Sequence, residues 1–200
     1  MAYTKFFPVS PDTFLKAGSD MALAKFGHLN SLIDYVNTAV DYNSTTGMTL
    51  VKGQDLNIIS GSGSSVTLTT SQSGSVVLMD RAAGITFTLP VATSSTIGMY
   101  FDFVVTTSVT SNGYKVITGA ATEFLIGGYT SVDTDTSNAV AVFTGNGSSH
   151  ISVNMTSAST NAAGGIFGTK LRFTCLSTTR WMVEGIVQGA GTVVTAFATT

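Results

Sequence analysis

Hydrophobic and polar residues alternate with a period of two along the chain from about residue 48 onward. The clearest runs are GITFTLP at 84–90, MYFDFVV at 99–105, LRFTCL at 171–176 and RWMVEGIV at 180–187. Because successive side chains of a strand point to opposite faces, each run predicts a strand with one buried face. The residues predicted to face the core are Ile85, Phe87, Leu89, Leu171, Phe173, Cys175, Trp181, Val183 and Val187. MYFDFVV places Phe101, Phe103 and Val105 on one face and Tyr100, Asp102 and Val104 on the other.

Segments rich in Gly, Ser and Asn separate these runs, as in SGSGSS at 60–65 and AAGG at 162–165. Asn112-Gly113 and Asn146-Gly147 are predicted to form tight hairpin turns, because both residue types tolerate a positive φ. About ten short strands between such turns predict an all-β fold, a jelly-roll-like β-sandwich over residues 43–200. No repeat period is evident in the sequence.

The pattern differs between residues 25 and 40, where KFGHLNSLIDYVNTAV places apolar residues at helical spacing. Residues 19–42 are therefore predicted to form one amphipathic helix. Its apolar stripe consists of Phe26, Leu29, Leu32, Ile33, Val36 and Val40. Two interpretations remain open: the stripe is an oligomer interface, or it caps an open end of the chain's own sandwich.

Residues 1–18 combine aromatic residues with Pro8 and Pro11. Two prolines so close together disfavour both a helix and a central strand, so an extended arm is expected. Phe6, Phe7 and Phe14 are the predicted docking residues of this arm.

The composition favours self-association. Charged residues make up only 10% of the chain, against about 25% in an ordinary soluble domain, and the mean hydropathy is positive. Burial of apolar surface between copies explains both properties, although a monomer covered by Thr and Ser would also fit them. The net charge of -2 argues against a nucleic-acid partner, since phosphate binding needs clustered Lys and Arg.

The beginning of the chain does not show the basic and apolar regions of a secretory signal, and no apolar run approaches the ~20 residues of a membrane span. We expect synthesis in a cytoplasm and no membrane partner. The single cysteine, Cys175, is predicted to be a small buried hydrophobic residue rather than part of a disulfide framework.

Candidate chemistry is sparse. His28 and His150 lie in no catalytic motif, and the GSGSS segment has no following helix pattern that would support a nucleophilic serine. We therefore predict no catalytic residue, no enzyme activity and no cofactor.

The segment DTDTSN places Asp133, Asp135 and Ser137 at alternate positions, as calcium loops do. Asn138 and Thr144 stand where such a loop needs its glycine and its acidic last ligand. A polar turn without a metal is the favoured interpretation.

The single tryptophan, Trp181, shares a predicted strand face with Val183 and Val187. We expect it in the core, whereas a solvent-facing ring would serve as a sugar-stacking platform.

Three segments resemble virion proteins of tailed bacteriophages, marine ones in particular: AKFGHLNSLIDYVN, SGSVVLMDRAAGITFTLPVATSSTIGMYFDFVV and RWMVEGIV. The resemblance covers most of residues 24–188 and reflects β-architecture rather than a site. It implies a head decoration (cement) protein, a vertex spike or a fibre head, commonly a trimer, and it supplies no catalytic residues.

The resulting expectation is a non-enzymatic capsid decoration protein, a homotrimer bound to the major capsid protein on the virion surface. The alternatives are a fibre or spike receptor-binding domain and a carbohydrate-binding module, for which a cell-surface glycan would be the partner.

Overall fold

The computed structural model describes residues 40–43, 48–51, 58–61, 63–135, 140–155 and 162–200. Within these ranges every regular element is a β-strand, apart from one 3-10 turn at Thr70–Gln72. The all-β class predicted from the alternation is thus confirmed. The chain divides into two compact units, Met1–Asp55 and Leu56–Thr200.

The described part of the first unit is an antiparallel pair, β1 (Val40–Asn43) and β2 (Met48–Val51), in which Val40 lies opposite Val51. The predicted helix over 19–42 is therefore wrong at its C-terminal end, and Val40 is a strand residue. β-Branched and aromatic residues such as Val40 and Tyr42 favour a strand, and here this preference prevails over the helical spacing. The predicted boundary between residues 42 and 43 falls inside β1.

The second unit contains twelve described strands. They are β3 (Ile58–Ser60), β4 (Ser65–Thr67), β5 (Val76–Met79), β6 (Thr86–Thr88), β7 (Tyr100–Val105), β8 (Tyr114–Ile117), β9 (Phe124–Asp133), β10 (Val140–Thr144), β11 (Ser152–Met155), β12 (Lys170–Ser177), β13 (Arg180–Gly189) and β14 (Phe197–Ala198). They form a seven-stranded sheet in the order β10-β9-β13-β12-β7-β5-β3 and a five-stranded sheet in the order β14-β11-β8-β6-β4.

Strands β3 to β8 alternate between the two sheets, so the chain winds around the core as a coil. As a result β3, β5 and β7 are parallel neighbours in one sheet, and β4, β6 and β8 are parallel neighbours in the other. Strands β9 and β13 are also parallel, whereas β12 pairs antiparallel with both β7 and β13. Both sheets are mixed, and the jelly-roll connectivity is not confirmed, since a jelly roll consists of antiparallel strands.

The two predicted hairpins are wrong, because each turn connects strands that belong to different sheets. Asn112 and Gly113 do adopt positive φ angles of 61° and 77°, but they connect β7 to β8, which belong to different sheets. Asn146-Gly147 likewise connects β10 to β11. A tight turn fixes the reversal of the chain, but it does not decide which strand becomes the hydrogen-bonded neighbour.

The first two coils share a local pattern. Leu68 and Leu89 are both buried, at 2% and 1% exposure, and each follows a strand of the five-stranded sheet. The loop that follows contains a threonine with a serine two positions later, directly after Leu68 in the first coil and three residues further on in the second. The Thr69 hydroxyl lies 3.0 Å from that of Ser71, and the Thr93 hydroxyl lies 2.9 Å from that of Ser95.

The core lies between the two sheets. Phe87 of the five-stranded sheet contacts Phe103 of the seven-stranded sheet edge to face, with ring centroids 5.5 Å apart, and Phe103 contacts Phe173 in the same way at 5.3 Å. The nine residues predicted from the alternation to face the core are exposed by 1% or less, and so are Phe101, Phe103 and Val105, which share the inward face of β7. The alternation therefore assigned the buried face of these strands correctly.

Candidate interaction surface

The outward side chains of the seven-stranded sheet form one continuous surface, which we call the outer face. Its residues alternate along each strand with core residues, as Asp102 does between Phe101 and Phe103. Strand register places them in two rows that cross all seven strands. The first row is Ile58, Val76, Asp102, Arg172, Glu184, Gly128 and Thr144, and the second is Ser60, Leu78, Val104, Lys170, Ile186, Thr130 and Val142.

A bidentate ion pair occupies the centre of the outer face. The Arg172 guanidinium donates to both carboxylate oxygens of Asp102, at 2.8 Å from Nε and 2.6 Å from a terminal nitrogen. The same guanidinium lies 4.7 Å from the centre of the Tyr100 ring. The hydrogen bond from Arg172 lowers the pKa of Asp102, against the opposing effect of burial, and the same bond raises the pKa of Arg172. The pair therefore stays ionised at neutral pH.

Two further charges flank this pair. Glu184 lies directly opposite Arg172 on the neighbouring strand, and Lys170 precedes Arg172 by one outward position. Among the described residues, neither Lys170 nor Glu184 has an ion-pair partner within 4.0 Å. The cluster of Asp102, Lys170, Arg172 and Glu184 thus has no net charge, and two of its members keep their charges available to an incoming surface.

The charged cluster lines a shallow concavity of about 600 Å³, together with Ile186 and Gln188. Its floor includes Gly185, which has a φ of +147°, and a Cβ there would lie 2.1 Å from the carbonyl oxygen of Lys170. A larger residue at 185 would therefore push β12 and β13 apart.

Apolar residues surround the charged centre. Five large ones on the outer face are more than a third exposed: Ile58 (64%), Tyr100 (37%), Val140 (65%), Val142 (70%) and Ile186 (51%). Ile58 belongs to one edge strand of the sheet, and Val140 and Val142 belong to the other. Single exposed apolar residues are ordinary, but several exposed apolar residues on one sheet face, around a charged centre, are typical of an interaction surface.

The outward side of the five-stranded sheet has a different character. Its two rows are Ser65, Thr86, Lys115 and Asn154, and Thr67, Thr88, Ile117 and Ser152. The second row continues to Ala198 of β14, and Ile117 and Ala198 are the apolar residues in these rows. Ser65, Thr67, Thr86 and Thr88 are at least partly exposed to water, whereas Ser152 is buried, so within the second unit the outward side of this sheet is more polar than the outer face.

Trp181 lies in the core, as predicted, and is fully buried. Its Nε1 donates to Glu123 at 3.1 Å, while the other carboxyl oxygen of Glu123 accepts from the backbone N–H of Ala92 at 2.7 Å. A sugar cannot stack on a buried ring, so Trp181 is not a glycan platform. Cys175 is also buried, as predicted, and burial raises the pKa of its thiol.

His150 and the segment from Asp133 to Ser137 are the candidate catalytic and metal-binding groups of the sequence within or next to the described strands. His150 Nδ1 accepts a hydrogen bond from the Asn146 backbone N–H at 3.2 Å, and its ring stacks on Phe197. Asp133 accepts from the N–H of Asp135, and Asp135 accepts from the N–H of Gly191. These groups support local turns, and the structure does not bring them together with the charged cluster.

No group of three or more His, Cys, Asp or Glu side chains in the described ranges is arranged to hold a metal ion. Residues 136–139, which complete the DTDTSN segment, are outside those ranges. The prediction of a polar turn without a metal therefore stays a prediction.

The predicted docking arm, with Phe6, Phe7 and Phe14, lies outside the described residues. The same holds for His28 and for the predicted helix stripe up to residue 39, namely Phe26, Leu29, Leu32, Ile33 and Val36. The four charged residues of the outer face were not singled out as a site in the sequence. Strand register brings them together, and the alternation does not reveal that register.

In the part of the chain that the structure describes, no helix has the length and apolarity needed to cross a membrane. Comparisons with protein-family models, curated proteins and solved structures gave no match. The function proposed below therefore depends on the surface of the chain itself and on the resemblance found in its sequence.

Proposed function

We propose that this chain is a non-enzymatic structural protein of a bacteriophage virion, a decoration (cement) protein that binds the head lattice as a homo-oligomer. The observation that carries the proposal is the contrast between the two sides of the second unit. One side is covered with Thr and Ser, and the other presents an apolar surface around a neutral charged cluster. Such one-sided apolar exposure is typical of a protein that functions within an assembly.

The low charge content supports the same proposal. With 10% charged residues, the chain has few groups to keep an isolated monomer soluble, and contact between copies removes apolar surface from water. The resemblance to tailed-phage virion proteins supplies the setting, in which the major capsid protein is the partner. A homotrimer is the expected assembly.

Attachment to the head is multivalent in this proposal. Residues 1–18 contribute Phe6, Phe7 and Phe14 as anchors, and each fully buried phenylalanine is worth about 1.5 to 3 kcal/mol. Linking three such arms in one oligomer raises the effective concentration of the second and third arms after the first has bound. Tight binding therefore needs no large interface for each chain.

Copy number in purified particles of the encoding phage tests the proposal. Quantitative mass spectrometry against the major capsid protein should give a ratio set by the lattice, with tens to hundreds of copies for each head. A few copies for each particle would instead indicate the alternative, a spike or fibre domain. Absence of the chain from particles would overturn the virion assignment.

A further inference from the structure

We propose that the outer face of the seven-stranded sheet is the surface through which copies of this chain bind one another. The inference rests on the homo-oligomer of the proposed function and assigns the surface that forms it. The occupant of the outer face is thus a second copy of the chain, and the contact places Lys170 of one copy against Glu184 of the next.

The outer face is large enough for this purpose. Seven strands spaced about 4.8 Å apart give it a width of about 30 Å. Its strands range from three residues in β3 to ten in β9 and β13, so at about 3.3 Å for each residue its length grows from about 10 Å at the β3 edge to about 33 Å at β9 and β13. This area approaches the roughly 800 Å² that each partner contributes to a standard stable interface, and in a cyclic trimer each chain divides it between two neighbouring copies.

The distribution of charge points to a second copy rather than to an acidic or basic partner. A partner of one sign would place half of the cluster against like charges, which is strongly unfavourable in a desolvated contact. A second copy offers two charges of each sign in the same arrangement. Because Asp102 and Arg172 already neutralise each other within the chain, Lys170 and Glu184 are the charges left to pair between copies.

The apolar residues supply the affinity, and the charges set the register. Ile186 lies beside Glu184 and Lys170 and is 51% exposed, so it enters any contact made by the charged cluster. Val140 and Val142 extend the apolar surface to the edge strand β10. This arrangement resembles ordinary interface anatomy, in which apolar contacts surround a few oriented polar groups.

The first experiment uses a matched pair of substitutions in the full chain. Ile186→Asp places a charge on the outer face, whereas Ile97→Asp makes the same change at a residue of similar exposure, 54%, in the loop before β7. Sedimentation velocity across a concentration series should show that Ile186→Asp raises the dissociation constant of the oligomer at least about tenfold. Ile97→Asp should leave it within about twofold.

The second experiment exchanges charges and remains informative if Ile186→Asp fails to fold. Lys170→Glu and Glu184→Lys should each weaken self-association, since each places like charges in contact. The double variant Lys170→Glu/Glu184→Lys should recover self-association, because the pairing is restored with reversed signs. It should not assemble with the unmodified chain, which a differently tagged copy in a pull-down would reveal.

The failure modes of the inference and of the proposed function are distinguishable. If the chain is oligomeric and neither Ile186→Asp nor the single charge variants weaken the oligomer, the surface is assigned wrongly but the oligomer stands. If Ile186→Asp lowers the melting temperature of a chain that is monomeric at every concentration, another part of the same chain covers the outer face, and the inference is wrong. Copy number in particles is unaffected by either result.

Discussion

Replacing Glu123 with glutamine tests the network that fixes the only tryptophan in the core. Glu123 is 1% exposed, and its two carboxyl oxygens accept from different parts of the fold. One accepts from the Ala92 N–H in the loop after β6, and the other accepts from the Trp181 indole in β13. Glutamine keeps one acceptor and replaces the other with an amino group, so one buried donor loses its partner.

The expected cost follows from that loss. A buried donor without an acceptor costs about 1 to 3 kcal/mol, and the new amino group faces a donor instead of an acceptor. For a chain of this size each kcal/mol corresponds to about 2 to 4 °C in melting temperature. We therefore expect Glu123→Gln to destabilise the fold by about 1 to 3 kcal/mol.

Urea denaturation followed by intrinsic fluorescence measures this loss directly, since Trp181 is the single tryptophan. The control is Glu184→Gln, the same substitution at the only other glutamate of the chain, whose side chain is exposed. This substitution should change the free energy of unfolding by less than about 0.5 kcal/mol at low protein concentration. A double-mutant cycle with Trp181→Phe, followed by circular dichroism, should give a coupling of about 1 kcal/mol. Equal stability of Glu123→Gln and the unmodified protein would refute the assigned hydrogen bonds.

Two further predictions concern the outer face and the arm. The pKa of Asp102 is lowered in the folded state, so its pairing with Arg172 contributes stability above about pH 4 that is lost as the pH falls through the folded-state pKa. Asp102→Asn should remove about 0.2 to 1 kcal/mol of stability at pH 7, a range discounted for screening because the Arg172 side chain is 41% exposed. Thermal melts at pH 7 and pH 2 should show that the stability difference between the two proteins shrinks in acid, whereas a constant difference would exclude the ionised pair as its source. Deleting residues 1–17 should leave the oligomer and its melting temperature nearly unchanged while abolishing co-sedimentation with empty heads, and full occupancy by the truncated chain would show that the arm is not the anchor.

The core could be predicted from the sequence because burial of one strand face leaves a local signal. Phe101, Phe103 and Val105 alternate with outward residues, and the buried face requires no knowledge of the neighbouring strands. The C-terminal end of the predicted helix could not be located from such a local signal. Val40 satisfies the helical spacing and is also a strong strand former, and its pairing with Val51 decides between the two.

Sheet topology was not predictable because alternation does not reveal which strands become neighbours. The coil formed by β3 to β8 repeats the same path between the two sheets, but the loop after Leu68 and the loop after Leu89 differ in length. Leu68 precedes Gly74 by six positions, and Leu89 precedes Gly98 by nine. This insertion of three residues hides the repeat from a search at a fixed period.

The charged cluster depends on the same missing information. Arg172 and Glu184 lie twelve positions apart in sequence, and Asp102 is seventy positions from Arg172, so only strand register shows that they meet. A weaker signal was present in the outward positions of the strands. Those of β4 and β6 carry Ser and Thr, while those of β5 and β7 carry Val76, Leu78 and Val104, a difference in polarity between the outward sides of the two sheets.

Sedimentation equilibrium on the full-length protein tests the central claim most directly, since both the proposed function and the role of the outer face require that copies bind one another. At micromolar concentration we expect a mass three times the 20.7 kDa of one chain, and we expect Ile186→Asp to shift the distribution toward single chains while Ile97→Asp does not. A mass of one chain for the unmodified protein throughout the accessible concentration range would contradict the account.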